Sequence, residues 1–91
     1  MRLLRRAGLA PDETNARVEG REVDLVWRSR RLVVEVDGYA YHRGRAAFER
    51  DRRRDADLQA AGYRVIRVTW RQLVEAPERV IAQIARALGF A

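Results

Sequence analysis

The chain has 91 residues, 19 of them basic and 13 acidic, and carries a net charge of +6 at pH 7 with its single histidine neutral. This length suits one small domain, residues 1–91, and the absence of cysteine excludes disulfides, thiolate zinc sites and cysteine nucleophiles. No apolar run approaches the roughly 18 residues of a membrane span, and the apolar part of the N-terminus is too short for a secretory signal. We therefore expect a cytoplasmic domain that does not span a membrane.

The basic residues are all arginine, so no mechanism can use a lysine amine. A positive excess of this size favours polyanionic partners, with nucleic acid first and an anionic membrane surface second. Charge by itself does not distinguish DNA from RNA.

The first predicted elements are a short helix and a hairpin. "RLLRRAGL" indicates a helix that ends at Gly8, and "ARVEG" is consistent with a strand that stops at Gly20. "EVDLVW" alternates apolar and polar residues from Glu22 to Trp27 and predicts a strand. The polar turn "RSRR" then leads to a strand from Leu32 to Asp37.

The second half of the chain alternates helix and strand. We predict a helix from about Arg45 to Ala61, with Phe48 and Leu58 on its inner side, then a strand from Tyr63 to Trp70. Pro77 begins a final helix whose apolar stripe contains Val80, Ile81, Ile84, Ala85 and Leu88. A helix between two strands is long enough for a crossover connection, so these strands are predicted to be parallel neighbours in a mixed sheet.

Carboxylates interrupt two of the predicted strands. If "RSRR" is a four-residue hairpin loop, Trp27 pairs with Leu32, and Asp24 lies opposite Glu35. Asp37 shares the face of Glu35. Like charges across a ladder destabilise a sheet, so a divalent metal, an arginine or a shared proton should compensate.

Two interpretations of these acids remain open. Oxygen ligands suit Mg²⁺, Mn²⁺ or Ca²⁺, and such a cation polarises a phosphoryl oxygen and activates water. His42 follows closely and could be the general acid or base, since Gly38 permits a sharp turn. The alternative is structural, because acids on a strand face are most often solvated or paired with arginine, and a lone histidine is most often a hydrogen-bonded surface or core residue.

The predicted helix after His42 contains the densest basic run of the chain. Such a run is usually a solvated helix face whose arginines pair with neighbouring acids. Because the run borders the acidic strand ends, it is also suited to neutralise backbone phosphates without reading sequence. The predicted nucleic-acid-binding residues are Arg43, Arg45, Arg50 and Arg53.

Two acids of the same helix, Asp51 and Asp55, lie on the side of Phe48 and Leu58, which is unusual for solvated residues. We expect one or both to turn inward and hold an arginine. The candidate partners are Arg54 and Arg67.

Three strings resemble the bacterial domain-of-unknown-function 559 family: E-x-D-G-x-x-x-H at Glu35–His42, D-x-x-R-D-x-x-L at Asp51–Leu58, and G-Y-R-V-I-R from Gly62. That family is related to the very-short-patch-repair (Vsr) mismatch endonucleases of the PD-(D/E)XK superfamily, and the likeness runs from about Glu13 to Leu88. The resemblance implies a restriction-endonuclease-like fold, which is a single three-layer α/β domain with a mixed sheet of about four strands flanked by helices. It also implies a DNA endonuclease that uses Mg²⁺ or Mn²⁺.

The resemblance also implies roles for individual residues. Asp24 and Glu35 would bind the metal, Asp37 would assist, the main-chain carbonyl of Val36 would add a metal contact, and His42 would transfer a proton. Superfamily members usually have a lysine at the position of Asp37, and the Vsr-like branch has a histidine there.

Three open questions concern the whole protein. Related domains often carry a glutamate upstream of "LLRRAGL", at about Met1, so either this site lacks that acid or the chain is a fragment of a longer protein. One active site per chain predicts nicking by a monomer, and double-strand breaks would need a homodimer. The same fold could also serve as a catalytically inactive nucleic-acid-binding or regulatory module.

Overall fold

The computed structural model describes residues 2–38 and 44–90. The elements in chain order are α1 (Arg2–Arg6), β1 (Glu13–Val18), β2 (Arg21–Trp27), β3 (Leu32–Asp37), α2 (Arg45–Ala60), β4 (Arg64–Thr69), α3 (Trp70–Glu75) and α4 (Pro77–Ala87). The strands form one sheet in the order β1-β2-β3-β4. The pairs β1–β2 and β2–β3 are antiparallel, and β3–β4 is parallel, so the predicted mixed sheet with flanking helices is confirmed.

The apolar side chains form two clusters, which give the domain three layers. Because strand side chains alternate between faces, neighbours such as Val33 and Val34 enter different clusters. The cluster that includes α1 and α4 is formed by Leu4, Leu9, Leu25, Trp27, Leu32, Val34, Val68, Val80, Ile84 and Leu88. The cluster that includes α2 is formed by Ala16, Val18, Val23, Val26, Val33, Leu58 and Tyr63.

The β2–β3 hairpin has the predicted register. Trp27 pairs with Leu32, which leaves the four residues 28–31 as the loop, and the N–H of Arg31 donates to the carbonyl of Arg28. Along the β3–β4 pair, Glu35 lies beside Arg67 and Asp37 beside Thr69. The carboxyl ends of these two parallel strands therefore meet at one edge of the sheet, next to the acids.

The last predicted strand was extended too far, because Trp70 begins a helix. The Thr69 hydroxyl accepts a hydrogen bond from the Gln72 N–H, and the Gln72 side chain accepts one from the Thr69 N–H. This reciprocal capping box starts α3 at Trp70.

The predicted inner position of Phe48 is wrong. Its side chain is 53% exposed, whereas Leu58 is fully buried. Leu58 is the only buried residue of α2, so the C-terminal half of the helix anchors it to the sheet. Within the described ranges, no helix has the length and apolar character needed to cross a membrane.

Candidate active site

Two carboxylates replace the backbone ladder where β2 and β3 diverge. Backbone pairing runs from Trp27–Leu32 to Leu25–Val34. One step further, the N–H of Asp24 donates to Oε2 of Glu35 at 3.0 Å, and Oδ2 of Asp24 accepts from the N–H of Val36 at 2.7 Å. The two acids therefore face each other across the strands, and each satisfies a backbone N–H that the ladder no longer pairs.

Glu35 is the one buried charged residue among those described, with 5% of its surface exposed. The Nη2 atom of Arg54 lies 3.2 Å from its Oε1, but the geometry is not that of a hydrogen bond, and within residues 2–38 and 44–90 neither this Oε1 nor Nε of Arg54 has a hydrogen-bond partner. Burial raises the pKa of Glu35 to about 7. The hydrogen bond from Asp24 N–H opposes this rise, and the nearby negative charge of Asp24 adds to it. Glu35 is therefore a buried acid whose Oε1 lies near a cationic guanidinium but accepts no hydrogen bond among the described residues.

Arg67 connects β4 to α2 and to the end of β3. Its Nε and Nη2 atoms donate to the two carboxylate oxygens of Asp55 at 3.0 and 2.9 Å, and its Nη1 donates to Asp37 at 3.0 Å. Asp51 lies 4.0 Å from the same Nη1. The hydrogen bond to Asp55 is the main reason that the pKa of Arg67 is raised. The inward acids of α2 thus hold Arg67, while Arg54 lies against Glu35.

The carboxylates and their arginines line one cavity of about 230 Å³. Its lining consists of Asn15, Glu22, Asp24, Glu35, Val36, Asp37, Asp51, Arg54 and Arg67. The residues predicted to bind or assist the metal, Asp24, Glu35, Val36 and Asp37, all line it, and so do Asp51, Arg54 and Arg67.

Two residues of this cavity were missed by the sequence analysis. Glu22 lies two positions before Asp24 in β2, so strand alternation places both side chains on one face, and this signal was available in the sequence. Asn15 has a left-handed backbone with φ of +49°, and no sequence pattern indicated its place in the cavity.

A second cavity of about 340 Å³ adjoins the first and is mostly basic. Arg50 and Arg53, which were predicted to contact nucleic acid, line it together with Arg21, Asp51 and Arg54. Arg45 is exposed at the first position of α2. His42 and Arg43 lie outside the described residues.

The acid cavity is lined by carboxylate oxygens, the type of ligand that a hard cation prefers. In the described part of the chain, no group of three or more His, Cys, Asp or Glu side chains forms a ready metal site. The buried Oε1 of Glu35 has an ion-pair partner in Arg54 but accepts no hydrogen bond among the described residues, so an additional ligand could satisfy it, and carboxylate oxygens are the preferred ligands of Mg²⁺ and Mn²⁺. Asp24 and Glu35 are thus the residues that would hold such an ion.

Comparisons with known proteins gave a family and a structural neighbour. The model of the REase_MTES_1575 family matches residues 1–88. Uncharacterized proteins MT2308 and Rv2248, from Mycobacterium tuberculosis strains CDC 1551 / Oshkosh and ATCC 25618 / H37Rv, are each 35% identical over 66 residues, which is 72% of this chain and 24% of each relative. The chain thus spans about a quarter of their length.

The solved structure titled "Homing Endonuclease I-Bth0305I Catalytic Domain" has the same fold. It superposes with a TM-score of 0.76 at 24% identity, over 94% of this chain and 85% of that one. The predicted restriction-endonuclease-like architecture is therefore confirmed.

Proposed function

The chain belongs to the REase_MTES_1575 family of restriction-endonuclease-like proteins, and we propose that it is a metal-dependent DNA endonuclease of the Vsr-like type, close to the domain-of-unknown-function 559 family. Family and fold support nuclease function in general. The observation that carries the specific proposal is the buried Glu35 carboxylate, whose Oε2 accepts from Asp24 N–H and whose Oε1 accepts no hydrogen bond among the described residues, in a cavity bordered by arginines.

The proposed metal is Mg²⁺ or Mn²⁺, held by Asp24 and Glu35 with the main-chain carbonyl of Val36, and assisted by Asp37. When bound, such an ion polarises a phosphoryl oxygen and lowers the pKa of a water molecule. The bond from Val36 N–H to Asp24 fixes one carboxylate, and the bond from Asp24 N–H fixes the other. Both carboxylates are therefore positioned before any ligand arrives, which reduces the cost of ordering them.

The proton transfer is assigned to His42, which is the single histidine of the chain and lies five positions after Asp37. A histidine can exchange a proton with a phosphodiester oxygen or water near neutral pH. Arg67, held by Asp55, keeps a positive charge beside Asp37 at the end of β3.

The arginines of α2 are proposed to hold the DNA backbone. Arg50 and Arg53 line the basic cavity beside the acids, and Arg43 and Arg45 belong to the same run in sequence. Contacts of this kind are sequence-independent and weaken with salt. The acid cavity found among the described residues would nick one strand, and two copies would be needed to cut both.

A plasmid assay tests the proposal. Purified protein is incubated with supercoiled DNA in Mg²⁺, in Mn²⁺ and in chelator, and the product is resolved on agarose. We expect open-circular DNA only with metal, and none from Asp24→Asn, which keeps an acceptor for Val36 N–H but loses the charge. Intact plasmid under every metal condition would contradict the proposal.

A nucleic-acid-binding module without turnover is the second candidate. It is favoured by the two arginines that already neutralise the acids, since Arg54 lies 3.2 Å from Glu35 and Arg67 lies 3.0 Å from Asp37. This candidate predicts salt-sensitive DNA binding that is the same in metal and in chelator, with no cleavage.

A further inference from the structure

Arg54 belongs to the linings of both the acid cavity and the basic cavity. In α2 this residue follows Arg50 by four positions and Asp51 by three, so it is a helical neighbour of both. Its side chain is partly buried, with 33% of its surface exposed. Arg54 therefore lies at the boundary of the two cavities, between the basic and the acidic side of the helix.

The contact between Arg54 and Glu35 is an ion pair without a hydrogen bond. Nη2 of Arg54 lies 3.2 Å from Oε1 of Glu35, and among the described residues neither this Oε1 nor Nε of Arg54 has a hydrogen-bond partner. Parallel hydrogen bonds give a guanidinium–carboxylate pair much of its strength. The pair therefore holds Arg54 less firmly than two such bonds hold Arg67 on Asp55.

The oxygen of Glu35 that Arg54 approaches is also the one suited to a divalent cation. Oε2 already accepts the N–H of Asp24 at 3.0 Å, whereas Oε1 accepts no hydrogen bond within the described ranges. A cation on Oε1 would stand beside the guanidinium, and two positive groups repel each other strongly where water is partly excluded. Arg54 and a divalent cation therefore compete for Glu35.

The basic cavity offers Arg54 a second partner when it holds an anion. Its described lining contains four arginines and one acid, namely Arg21, Arg50, Arg53, Arg54 and Asp51. The other three guanidinium groups repel that of Arg54 and favour its pairing with Glu35. A phosphate group reverses this preference, because its charge offsets the repulsion and its oxygens accept parallel hydrogen bonds from a guanidinium.

We propose that Arg54 exchanges partners, from Glu35 to a phosphate group of a bound polyanion, and so couples anion binding to cation binding. This inference rests on the proposed function and adds a control of the same site. A phosphate draws the guanidinium away from Oε1, which makes that oxygen available to the cation. Arg54 is thus a positioning residue that acts on the metal through Glu35. Because coupling between two ligands is reciprocal, cation and phosphate each strengthen the binding of the other.

Mn²⁺ binding, measured by calorimetry at constant pH, tests the exchange without cleavage. Mn²⁺ is titrated into the parent and Arg54→Met in sodium chloride and in sodium sulfate of equal ionic strength, with sulfate as the probe for a phosphate group. In chloride we expect Arg54→Met to bind Mn²⁺ roughly 5- to 150-fold more tightly than the parent, the usual range of coupling between two ligands. In sulfate the parent should gain affinity, and Arg54→Met should not.

Two controls assign the gain in affinity to the pair of Arg54 and Glu35. Arg52→Met removes the same charge from the same helix, at a guanidinium that lies 5.2 Å from the centre of the Phe48 ring and outside both linings. It should bind Mn²⁺ as the parent does. Arg54→Met combined with Glu35→Gln should lose the gain. Structural damage does not tighten binding, and the sulfate comparison on the parent does not depend on the folding of any variant.

Equal Mn²⁺ affinity of the parent and Arg54→Met in chloride would overturn the exchange and leave the proposed metal site in place. The same holds if sulfate does not tighten Mn²⁺ binding by the parent, or if Arg52→Met gains as much affinity as Arg54→Met. No Mn²⁺ binding by the parent or by Arg54→Met would remove the metal site and the exchange together. The expected affinities without any plasmid nicking would keep the exchange and remove the nuclease.

Discussion

We expect Glu35→Gln to abolish the proposed metal-dependent cleavage and to leave the fold intact. Glutamine has the shape of glutamate and still offers an oxygen to the Asp24 N–H, but it carries no charge for a cation. A metal contributes several kcal/mol of transition-state stabilisation, so we expect the nicking rate to fall by about 10³-fold or more. The measurement is the initial rate of plasmid nicking in Mg²⁺.

Glu75→Gln is the matched control, because it removes an acid of α3 that pairs with Arg71 on the exposed surface. It should nick at the parent rate. Nicking by Glu35→Gln within about tenfold of the parent would contradict the metal role of Glu35, since one 1.36 kcal/mol step is too small for a lost ligand.

We expect Arg67→Met to destabilise the domain by about 3 kcal/mol. The guanidinium holds Asp55 through two hydrogen bonds and Asp37 through a third, and its side chain is only 25% exposed. Its loss removes the guanidinium that pairs with the partly buried Asp55 carboxylate, which is the costly way to break such a pair. We expect the melting temperature to fall by roughly 12 to 24 °C, measured by circular dichroism.

Two further variants identify the cause of this loss. Arg71→Met breaks the exposed pair with Glu75 and should cost less than about 1 kcal/mol. Arg67→Met combined with Asp55→Leu removes both charges and should be more stable than Arg67→Met alone. Equal melting of Arg67→Met and Arg71→Met would show that the hydrogen bonds of Arg67 to Asp55 and Asp37 do not hold α2 on the sheet.

The acid pair could be predicted because two local rules determine it. The four-residue turn sets the register of Trp27 on Leu32, and strand alternation then carries Asp24 to Glu35. The parallel β3–β4 pair likewise follows from the helix between them. The pairing of Arg67 with Asp55 was within reach because an inward acid needs a cation.

Other features depend on tertiary packing or were overlooked. The helical pattern predicts both Phe48 and Leu58 on the inner side of α2, but only Leu58 is buried. Periodicity identifies the side of a helix and does not show how far along the helix the sheet covers it. The start of α3 had a readable signal, since Thr69 and Gln72 have capping-box spacing, yet the apolar alternation of β4 extended the predicted strand to Trp70. The left-handed backbone of Asn15 was not predicted. Asparagine adopts a positive φ more often than most residues, but its presence in a sequence does not show that it does so at a given position.

Cation binding by the acid cavity is the most direct test, because contaminating nuclease can imitate cleavage but not a titration. Mn²⁺ is titrated calorimetrically into the parent and Glu35→Gln at about pH 8.5 and about pH 5.5. Protons and cations compete for Glu35, and its raised pKa of about 7 lets the proton prevail at the lower pH. We predict binding by the parent that weakens below about pH 7 and is absent in Glu35→Gln. Equal Mn²⁺ binding by both proteins, or none by either, would contradict a metal-dependent active site at Asp24 and Glu35.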